Sequence, residues 1–243
     1  MSVPGCRSWA MTHVGVVRTH NEDAFVDRPD LGLWAVADGA GGHDSGEVAS
    51  GMIAAALTAV PEGLDAGQLL AQVRLRLIGT HEALREEAER RGGRSIIAST
   101  VVALILRDGH FACLWAGDSR AYLLRAGEFG QISHDHSLVQ ELVDCGAITA
   151  AEAEHHPHAN VITRAVGTEA ETLEIDKVIG EAIAGDRFLL CSDGLSKMLG
   201  EAEIAALVAA PEGISPAEAL VAATLARGAN DNVTAVVVEV VRR

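Results

Sequence analysis

Apolar runs of strand length in this sequence end in aspartate, with glycine close behind. The run LWAVA reaches Asp38, and glycine occupies three of the next four positions. The run LLCS reaches Asp193, again followed by glycine. A tight turn explains any one such pair, because Asp and Gly are common where the backbone needs positive φ. The repetition predicts strands that end at carboxylates, where missing side chains let another group approach the backbone.

The order of strand-like and helix-like segments sets the fold class. Strands are predicted at 31–38, 98–107, 110–116, 120–125, 173–179, 187–191 and 233–241, and helices at 47–60, 66–91, 202–209 and 216–226. Asp108-Gly109 predicts a two-residue hairpin loop, and Gly117-Asp118-Ser119 predicts a second hairpin turn. Strands joined by hairpins, with helices collected between them, indicate an α+β layered domain and not a doubly wound parallel sheet.

Composition limits the classes of partner. The 243 residues carry a net charge of −15, and 49% of them are apolar. Such a chain can bury a sizeable core. Its acidity argues against nucleic acid, which binds clustered Lys and Arg. No signal peptide and no membrane-spanning stretch is visible, so we expect a cytoplasmic protein that contacts no membrane.

The four cysteines show no metal-ligand spacing. Cys113 and Cys191 fall in apolar strand-like runs and are expected to be small buried hydrophobes. The segment 134–166 is polar and rich in histidine, with short helical pieces near 138–144 and 150–154. We expect it to leave the body of the domain. Its histidine clusters are interpreted as solvated surface and not as a zinc site.

Acids that border strands suggest a cation site. Asp38, Asp193 and Asp231 are far apart in sequence, yet each lies at the edge of an apolar strand. If they converge, their hard oxygens suit Mg²⁺ or Mn²⁺ and not zinc. Gly39 would let a backbone carbonyl join them. Asp118 lies in a similar position, although a plain turn explains it too.

The N-terminal stretch adds the complementary charge. Arg18 has the planar fork that matches phosphate oxygens. Glu22 and Asp23 follow it, although a solvated loop would also explain adjacent acids. An arginine together with several metal-grade carboxylates makes phosphoryl chemistry the leading hypothesis.

These residues belong to motifs that resemble the PP2C-like (PPM) metal-dependent protein serine/threonine phosphatases of bacteria. The matching motifs are RTHNED at 18–23, VADGAGGH at 36–43, AGDSRAYL at 116–123, CSDGL at 191–195 and DNVTAVVV at 231–238. They occur in the family's order and extend over nearly the whole chain. The stretches HPHANVITRAVG and LLCSDGLSKM are most similar to stand-alone phosphatases linked to type VI secretion.

The resemblance implies one domain, 1–243, built as a β-sandwich of two antiparallel sheets flanked by helices. Two core Mn²⁺ or Mg²⁺ ions would lie at one end, and the segment 134–166 would be the flap beside them. By the family's pattern, Asp38 bridges both ions, and the other ligands are the Gly39 carbonyl, Asp193 and Asp231. Asp118 belongs to a third, weaker site. Arg18 binds phosphate, and the ligands are supported in the second shell by Glu22, Asp23 and Asn232.

The implied reaction is direct hydrolysis. Two ions lower the pKa of a bridging water, and the resulting hydroxide attacks phosphorus in line. No cysteine begins a C-x₅-R loop and no phosphate-binding G-x₄-G-K-[ST] motif occurs, which agrees with a reaction that forms no phosphoenzyme. Ala40 stands where eukaryotic members carry a histidine proposed as a general acid, so the proton donor is left open.

Two alternatives from other classes accompany this interpretation. One is a catalytically weak, phosphopeptide-binding scaffold, which would usually have lost metal-binding acids. The other is a hydrolase of small phosphate esters, because the flap sequence does not specify a substrate. The expected partners are phosphorylated proteins and an opposing Ser/Thr kinase, and the expected state is a monomer.

Overall fold

The structure is a computed structural model that describes residues 5–41, 45–92, 96–153, 155–211 and 213–241. The strands within these ranges are β1 (Cys6–His13), β2 (Asp23–Arg28), β3 (Leu33–Ala40), β4 (Ala98–Ser99), β5 (Val101–Arg107), β6 (His110–Ala116), β7 (Arg120–Arg125), β8 (Glu128–Gln131), β9 (Asp176–Glu181), β10 (Arg187–Cys191) and β11 (Val233–Val240). The helices are α1 (Ser45–Thr58), α2 (Ala66–Arg90), α3 (Leu138–Asp144), α4 (Ala150–Ala153), α5 (Asp193–Ser196), α6 (Glu201–Val208) and α7 (Pro216–Ala226).

The strands form two antiparallel sheets, as predicted. One sheet has the order β1-β11-β10-β7-β8, and the other has the order β2-β3-β5-β6-β9. The short strand β4 pairs with the end of β3. The central strands β5 and β11 are buried almost throughout. Their near-continuous apolar sequences follow from this, because both faces of each strand are covered.

The facing surfaces of the two sheets pack into an apolar layer. Trp34, Val102 and Leu104 come from one sheet, and Phe188 and Val236 come from the other. Helices cover both outer faces. The helices α1 and α2 pack on the β3 sheet, whereas α6 and α7 pack on the β11 sheet. The layers therefore run helix, sheet, sheet, helix.

Local sequence signals explain the helix ends. Asp65 caps α2 through its side chain, which accepts from the Gln68 backbone, while the Gln68 side chain accepts from the Asp65 backbone. This reciprocal pair is a capping box. Ser215 caps α7 through its hydroxyl, which accepts from the Glu218 backbone N–H, and Pro216 occupies the first turn, where it displaces no hydrogen bond.

Most predicted elements are present at or near the expected positions. The predictions for β10, α3 and α7 match the structure residue for residue. The predicted strand at 98–107 is interrupted at Thr100, between β4 and β5. The strand predicted at 173–179 begins later, at Asp176. The elements β1, β2, β8 and α5 were not predicted.

The hairpin predicted at Gly117–Ser119 is wrong. The strand β6 pairs with β5 and β9, whereas β7 pairs with β10 and β8. The three residues therefore carry the chain from one sheet to the other. Gly117 has φ +121°, and a Cβ there would lie 2.5 Å from the Thr100 Cβ. The chain at Gly117 therefore passes close to Thr100, its neighbour across the β5–β6 pair, where a side chain would not fit. By contrast, Asp108-Gly109 does form the predicted hairpin loop between β5 and β6.

The segment 134–166, which is predicted to leave the body of the domain, lies between β8 and β9. Its two ends are joined by backbone hydrogen bonds from Leu138 N to Val161 O and from Thr163 N to His136 O. The helices α3 and α4 lie between them. The predicted end of α4 at Glu154 falls outside the described residues. We keep the name flap for the segment 134–166, and residues 138–161 are its central part.

Two smaller expectations concern cysteine and the membrane. Cys113 and Cys191 are fully buried, and burial raises the pKa of each thiol to about 12. They are inert apolar side chains, as predicted. Within the described ranges, the structure contains no helix with the length and apolar character needed to cross a bilayer.

The layer between the sheets should dominate stability. Phe188 is fully buried there, with its ring centroid 5.1 Å from that of Phe111. Phe188→Ala should lower the free energy of unfolding by about 3–5 kcal/mol, through lost burial and the cavity left behind. Leu75→Ala is the control, since Leu75 is 59% exposed on α2. Urea unfolding should show a change of under about 0.5 kcal/mol for this control, and equal losses would contradict the assignment of the core.

Candidate metal centre

Acids from both sheets meet at one end of the sandwich. Asp38 lies near the end of β3, and Asp23 is its register partner on β2. Asp193 is the first residue of α5, and Ser192 alone separates it from β10. Asp231 lies two residues before β11, and Asp118 lies in the link between the sheets. The described structure thus brings together the acids that the motifs singled out.

The buried members of this cluster raise one another's pKa. Burial raises the pKa of Asp38 well above its ordinary value, and the charges of Asp23, Asp193 and Asp118 raise it further. The carboxyl group of Asp38 also hydrogen-bonds that of Asp193. Burial likewise raises the pKa of Asp23 to about 7 and that of Asp118 to about 7, with the Asp193 charge adding to both. Ionising all of them together requires a compensating cation.

Within the described part of the cluster, two buried carboxylate oxygens have no hydrogen-bond partner: Oδ1 of Asp23 and Oδ1 of Asp118. The other oxygen of Asp23 accepts from Ser192 Oγ at 2.8 Å and from Thr234 Oγ1 at 2.7 Å. A buried polar atom without a partner is costly, and a bound ion is one way to offset that cost. Carboxylate oxygens left in this state fit a hard divalent cation.

Glycine makes close packing possible around Asp38. The Gly39 backbone N–H donates to the Glu22 carbonyl at 3.1 Å. A Cβ at Gly39 would lie 2.1 Å from the carbonyl oxygen of Gly46, in the first turn of α1. A Cβ at Gly46 would in turn lie 2.8 Å from Glu22 Oε1 and 2.8 Å from the Gly39 carbonyl oxygen. The Glu22 carboxylate and the Gly39 carbonyl therefore lie side by side. Gly42 and His43, also in this motif, fall outside the described residues.

A second glycine brings Asp193 against Asp231. A Cβ at Gly194 would lie 2.0 Å from the Asn232 carbonyl oxygen and 3.5 Å from the Asp231 Cβ. The start of α5 and the approach to β11 are in direct contact for this reason. The Asp-Gly pair that first suggested a turn here serves a close approach between two chain segments.

Asn232 fixes the N-terminal loop that carries Arg18. Its side-chain N–H groups donate to the carbonyls of Val14 and His20, each at 2.9 Å, and its oxygen accepts from Glu22 N at 2.9 Å. An N–H of Arg18 donates to Asp231 Oδ2 at 3.0 Å. Both of these side chains are substantially exposed. The loop therefore places one guanidinium at the mouth of the acidic cluster.

Lys197 is the residue that sequence reasoning missed. Its ammonium donates to Asp193 Oδ2 and, at 2.7 Å, to Asn160 Oδ1 of the flap. The signal that would have revealed it is its spacing, four residues after Asp193, which places both side chains on one face of a helical turn. In the described part of the chain, no three His, Cys, Asp or Glu side chains already form a closed metal cage. Instead, Arg18 pairs with Asp231 and Lys197 pairs with Asp193.

A groove of about 790 Å³ opens beside the cluster. Its lining includes Asp118, Asp193 and Lys197 of the cluster. Small apolar side chains of the flap, among them Val143 and Ala153, also line it. Two further lining residues, Arg120 and Asp135, form a bidentate ion pair at 2.7–3.1 Å. The groove is large enough to hold a segment of a peptide that reaches the acids.

Comparison with known proteins decides the family. A family model described as protein phosphatase 2C matches residues 16–230. The chain belongs to the protein phosphatase 2C family. Asp231 and Asn232 lie just beyond the matched range, and they are held beside the cluster by packing against Gly194 and by hydrogen bonds to the N-terminal loop.

Individual relatives agree with this assignment. Serine/threonine protein phosphatase PstP of Mycobacterium tuberculosis is 39% identical over 227 residues, which cover 93% of this chain and 43% of PstP. This chain thus spans less than half the length of that relative. The structure of PppA, a key regulatory component of T6SS in Pseudomonas aeruginosa, has a TM-score of 0.89 and 43% identity, with 98% of each chain covered. The catalytic domain of PstP in complex with two manganese ions has a TM-score of 0.83 and 37% identity over 98% of this chain and 99% of that one.

The like charge of the cluster gives a test of the site that needs no substrate. Asp38→Asn replaces a buried acid that can ionise only against its neighbours' charges, so the protein in EDTA should gain about 1–2 kcal/mol, which corresponds to roughly 2–8 °C in Tm. The rise in Tm that Mn²⁺ produces in the wild type should shrink in the variant, because a ligand is lost. Thermal unfolding with and without Mn²⁺ measures both.

Asp108→Asn is the matched control, since it makes the same substitution in the β5–β6 hairpin loop, away from the cluster. It should leave the Mn²⁺-induced change in Tm as in the wild type. A lower Tm for Asp38→Asn in EDTA, or an undiminished response to Mn²⁺, would contradict the assignment of Asp38 to a cation site.

Proposed function

We propose that this chain is a metal-dependent phosphatase that hydrolyses phosphoserine and phosphothreonine in proteins. The observation that carries the proposal is the convergence of Asp38, Asp193 and Asp231 at one end of the sandwich, with Arg18 beside them. Relatives named as serine/threonine protein phosphatases support the reaction class.

The residues present fit a pair of Mn²⁺ or Mg²⁺ ions. We assign Asp38, Asp193, Asp231 and the Gly39 carbonyl as ligands, and Glu22, Asp23 and Asn232 as groups that hold them in place. The partnerless oxygens and the raised pKa values support this assignment, as does the PstP structure with two manganese ions. When bound, two such ions supply Lewis acidity and an activated water that attacks phosphorus.

The chain's own groups orient the phosphate. Arg18 presents a planar set of N–H donors at the mouth of the cluster, where phosphoryl oxygens would compete with Asp231 for them. Ala40, paired with Ala98 at the end of β3, offers only a methyl group and moves no proton. We assign no side chain as the proton donor to the leaving oxygen.

Asp118 is proposed as a ligand of a third, weaker ion. It is buried next to Asp193 and Lys197, and one of its oxygens has no partner in the structure. It comes from the link between the sheets and not from the strand ends that carry the other ligands. Because Asp118 is contributed by a different chain segment from the other proposed ligands, we assign it to an ion of its own.

The flap and the groove favour a protein substrate. A groove of about 790 Å³ exceeds what a phosphate ester of a few atoms needs, and the flap forms one of its walls. We propose that phosphorylated proteins bind there and that a Ser/Thr kinase opposes the reaction in the cytoplasm. The similarity to PppA, a regulatory component of T6SS, supports a role in regulating type VI secretion.

Metal-dependent turnover is the direct test. Hydrolysis of p-nitrophenyl phosphate and of a panel of phosphoserine and phosphothreonine peptides should stop in excess EDTA and return with Mn²⁺. Asp193→Asn should abolish both activities, because an amide binds a divalent ion far more weakly than a carboxylate does. Phosphate release and p-nitrophenolate absorbance provide the measurements.

Three outcomes would overturn the proposal in different ways. Full turnover in excess EDTA would exclude the metal mechanism. Mn²⁺ binding without activity on any substrate would favour a phosphopeptide-binding scaffold. Activity on small esters alone would favour a small phosphate-ester hydrolase.

Arg18 should matter for phosphate and not for the fold. Arg18→Ala should lower kcat/KM by about ten- to a hundredfold, since a charge-assisted contact contributes about 1.5–3 kcal/mol. Mn²⁺ affinity should change far less. Arg90→Ala is the control, because Arg90 forms an exposed ion pair with Glu87 on α2. If both variants have the kcat/KM of the wild type, Arg18 does not bind the phosphate and is an ordinary surface residue.

A further inference from the structure

Lys197 joins the flap to the acidic cluster. Its ammonium donates to Asp193 Oδ2 and to Asn160 Oδ1, the latter at 2.7 Å. Asp193 begins α5, Lys197 directly follows its last residue, and Asn160 lies near the end of the flap segment. Among the described residues, this is the side-chain hydrogen bond that connects the flap to α5. One side chain thus touches a proposed metal ligand and the wall of the groove.

The ammonium carries its charge within the cluster. Burial works to lower the pKa of Lys197, but the carboxylates of Asp193, Asp118 and Asp38 outweigh it, and the pKa is raised. The side chain is 41% exposed, on the groove side of α5. A permanent positive charge therefore lies where the same acids would hold a divalent ion.

We propose that Lys197 is a positioning residue that couples the flap to the metal centre, an inference that rests on the proposed function. The ammonium and a divalent ion bind the same Asp193 carboxylate and repel each other. Occupation of Asp193 by the ion weakens the hold of Asp193 on Lys197, and with it the bond to Asn160. Thermodynamic linkage makes the effect reciprocal. If the ion weakens the hydrogen bonds of Lys197, those hydrogen bonds must lower the affinity of the cluster for the ion by the same factor.

The sign of a change in affinity separates this role from a structural one. Lys197→Met keeps the length of the side chain and removes its charge, so the Kd for Mn²⁺ should fall about three- to thirtyfold, as expected for the loss of one nearby positive charge. A lysine that merely held Asp193 in its binding geometry would give a higher Kd when replaced. Isothermal titration with Mn²⁺ alone measures this. Lys197→Arg retains the charge and should stay near the wild-type value.

Asn160→Ala is the matched variant on the flap side. It leaves the ammonium beside Asp193 and removes the bond to the flap. Its Kd for Mn²⁺ should change less than that of Lys197→Met. Hydrogen exchange of backbone amides in 138–161 should be faster than in the wild type, both with and without Mn²⁺.

The wild-type flap gives the second measurement. Adding Mn²⁺ should speed amide exchange within 138–161 and leave exchange in β5 and β11 unchanged. In Lys197→Met, exchange in the flap should be fast already and insensitive to Mn²⁺. Circular dichroism and the β-strand amides report whether each variant is folded.

The outcomes separate the two proposals. A wild type that binds no Mn²⁺ overturns the proposed function and the coupling with it. A wild type that binds Mn²⁺, while Lys197→Met binds it no more tightly or the wild-type flap ignores it, overturns the coupling alone. Tighter binding by Lys197→Met together with a flap that no longer responds establishes the coupling.

Discussion

Repulsion among carboxylates at one end of the sandwich is the constraint around which this structure is arranged. Asp23 and Asp38 face each other across a strand pair, and Asp193 and Asp118 add their charges to the same volume. No apolar packing relieves such a cluster, since the pKa of each buried member is raised and two oxygens lack partners. The rigid sheets hold the acids together at the expense of stability, which is typical of a binding site.

The surroundings of the cluster are built to tolerate this strain. Hydroxyl groups of Ser192 and Thr234 satisfy one oxygen of Asp23 without adding charge. Glycine at 39 and 194 allows backbone segments to approach within distances that any side chain would prevent. Asn232 ties the N-terminal loop to the same point with three hydrogen bonds of 2.9 Å. Polar, uncharged and small residues thus position the acids, while the charges stay available to a ligand.

The sequence predicted central elements better than edges, for a physical reason. Buried strands such as β5 and β10 read as continuous apolar runs. The edge strands β1, β2 and β8 carry polar residues on an open side and were missed, and the edge strand β9 was placed too early.

The acids of the candidate site could be predicted because each borders an apolar run. The crossing of the chain from one sheet to the other at Asp118 could not be predicted. A tight turn between two strands has the same local sequence whether the strands form a hairpin or belong to different sheets. Lys197 was missed because its spacing from Asp193 is informative only on a helical turn, and α5 was not predicted.

The distribution of protein cations divides the cluster into two parts. Arg18 pairs with Asp231 and Lys197 pairs with Asp193, and both cations lie on the exposed side. No such ion pair reaches Asp23, Asp38 or Asp118 among the residues that the structure describes. A cation arriving from solvent therefore meets an ion pair at each outer acid and none at the inner ones. On the proposed function, the inner acids, which come from strands and the link between the sheets, would fix the position of an ion. The outer acids, whose partners are a loop arginine and a lysine bonded to the flap, would be the points at which substrate and flap influence that ion.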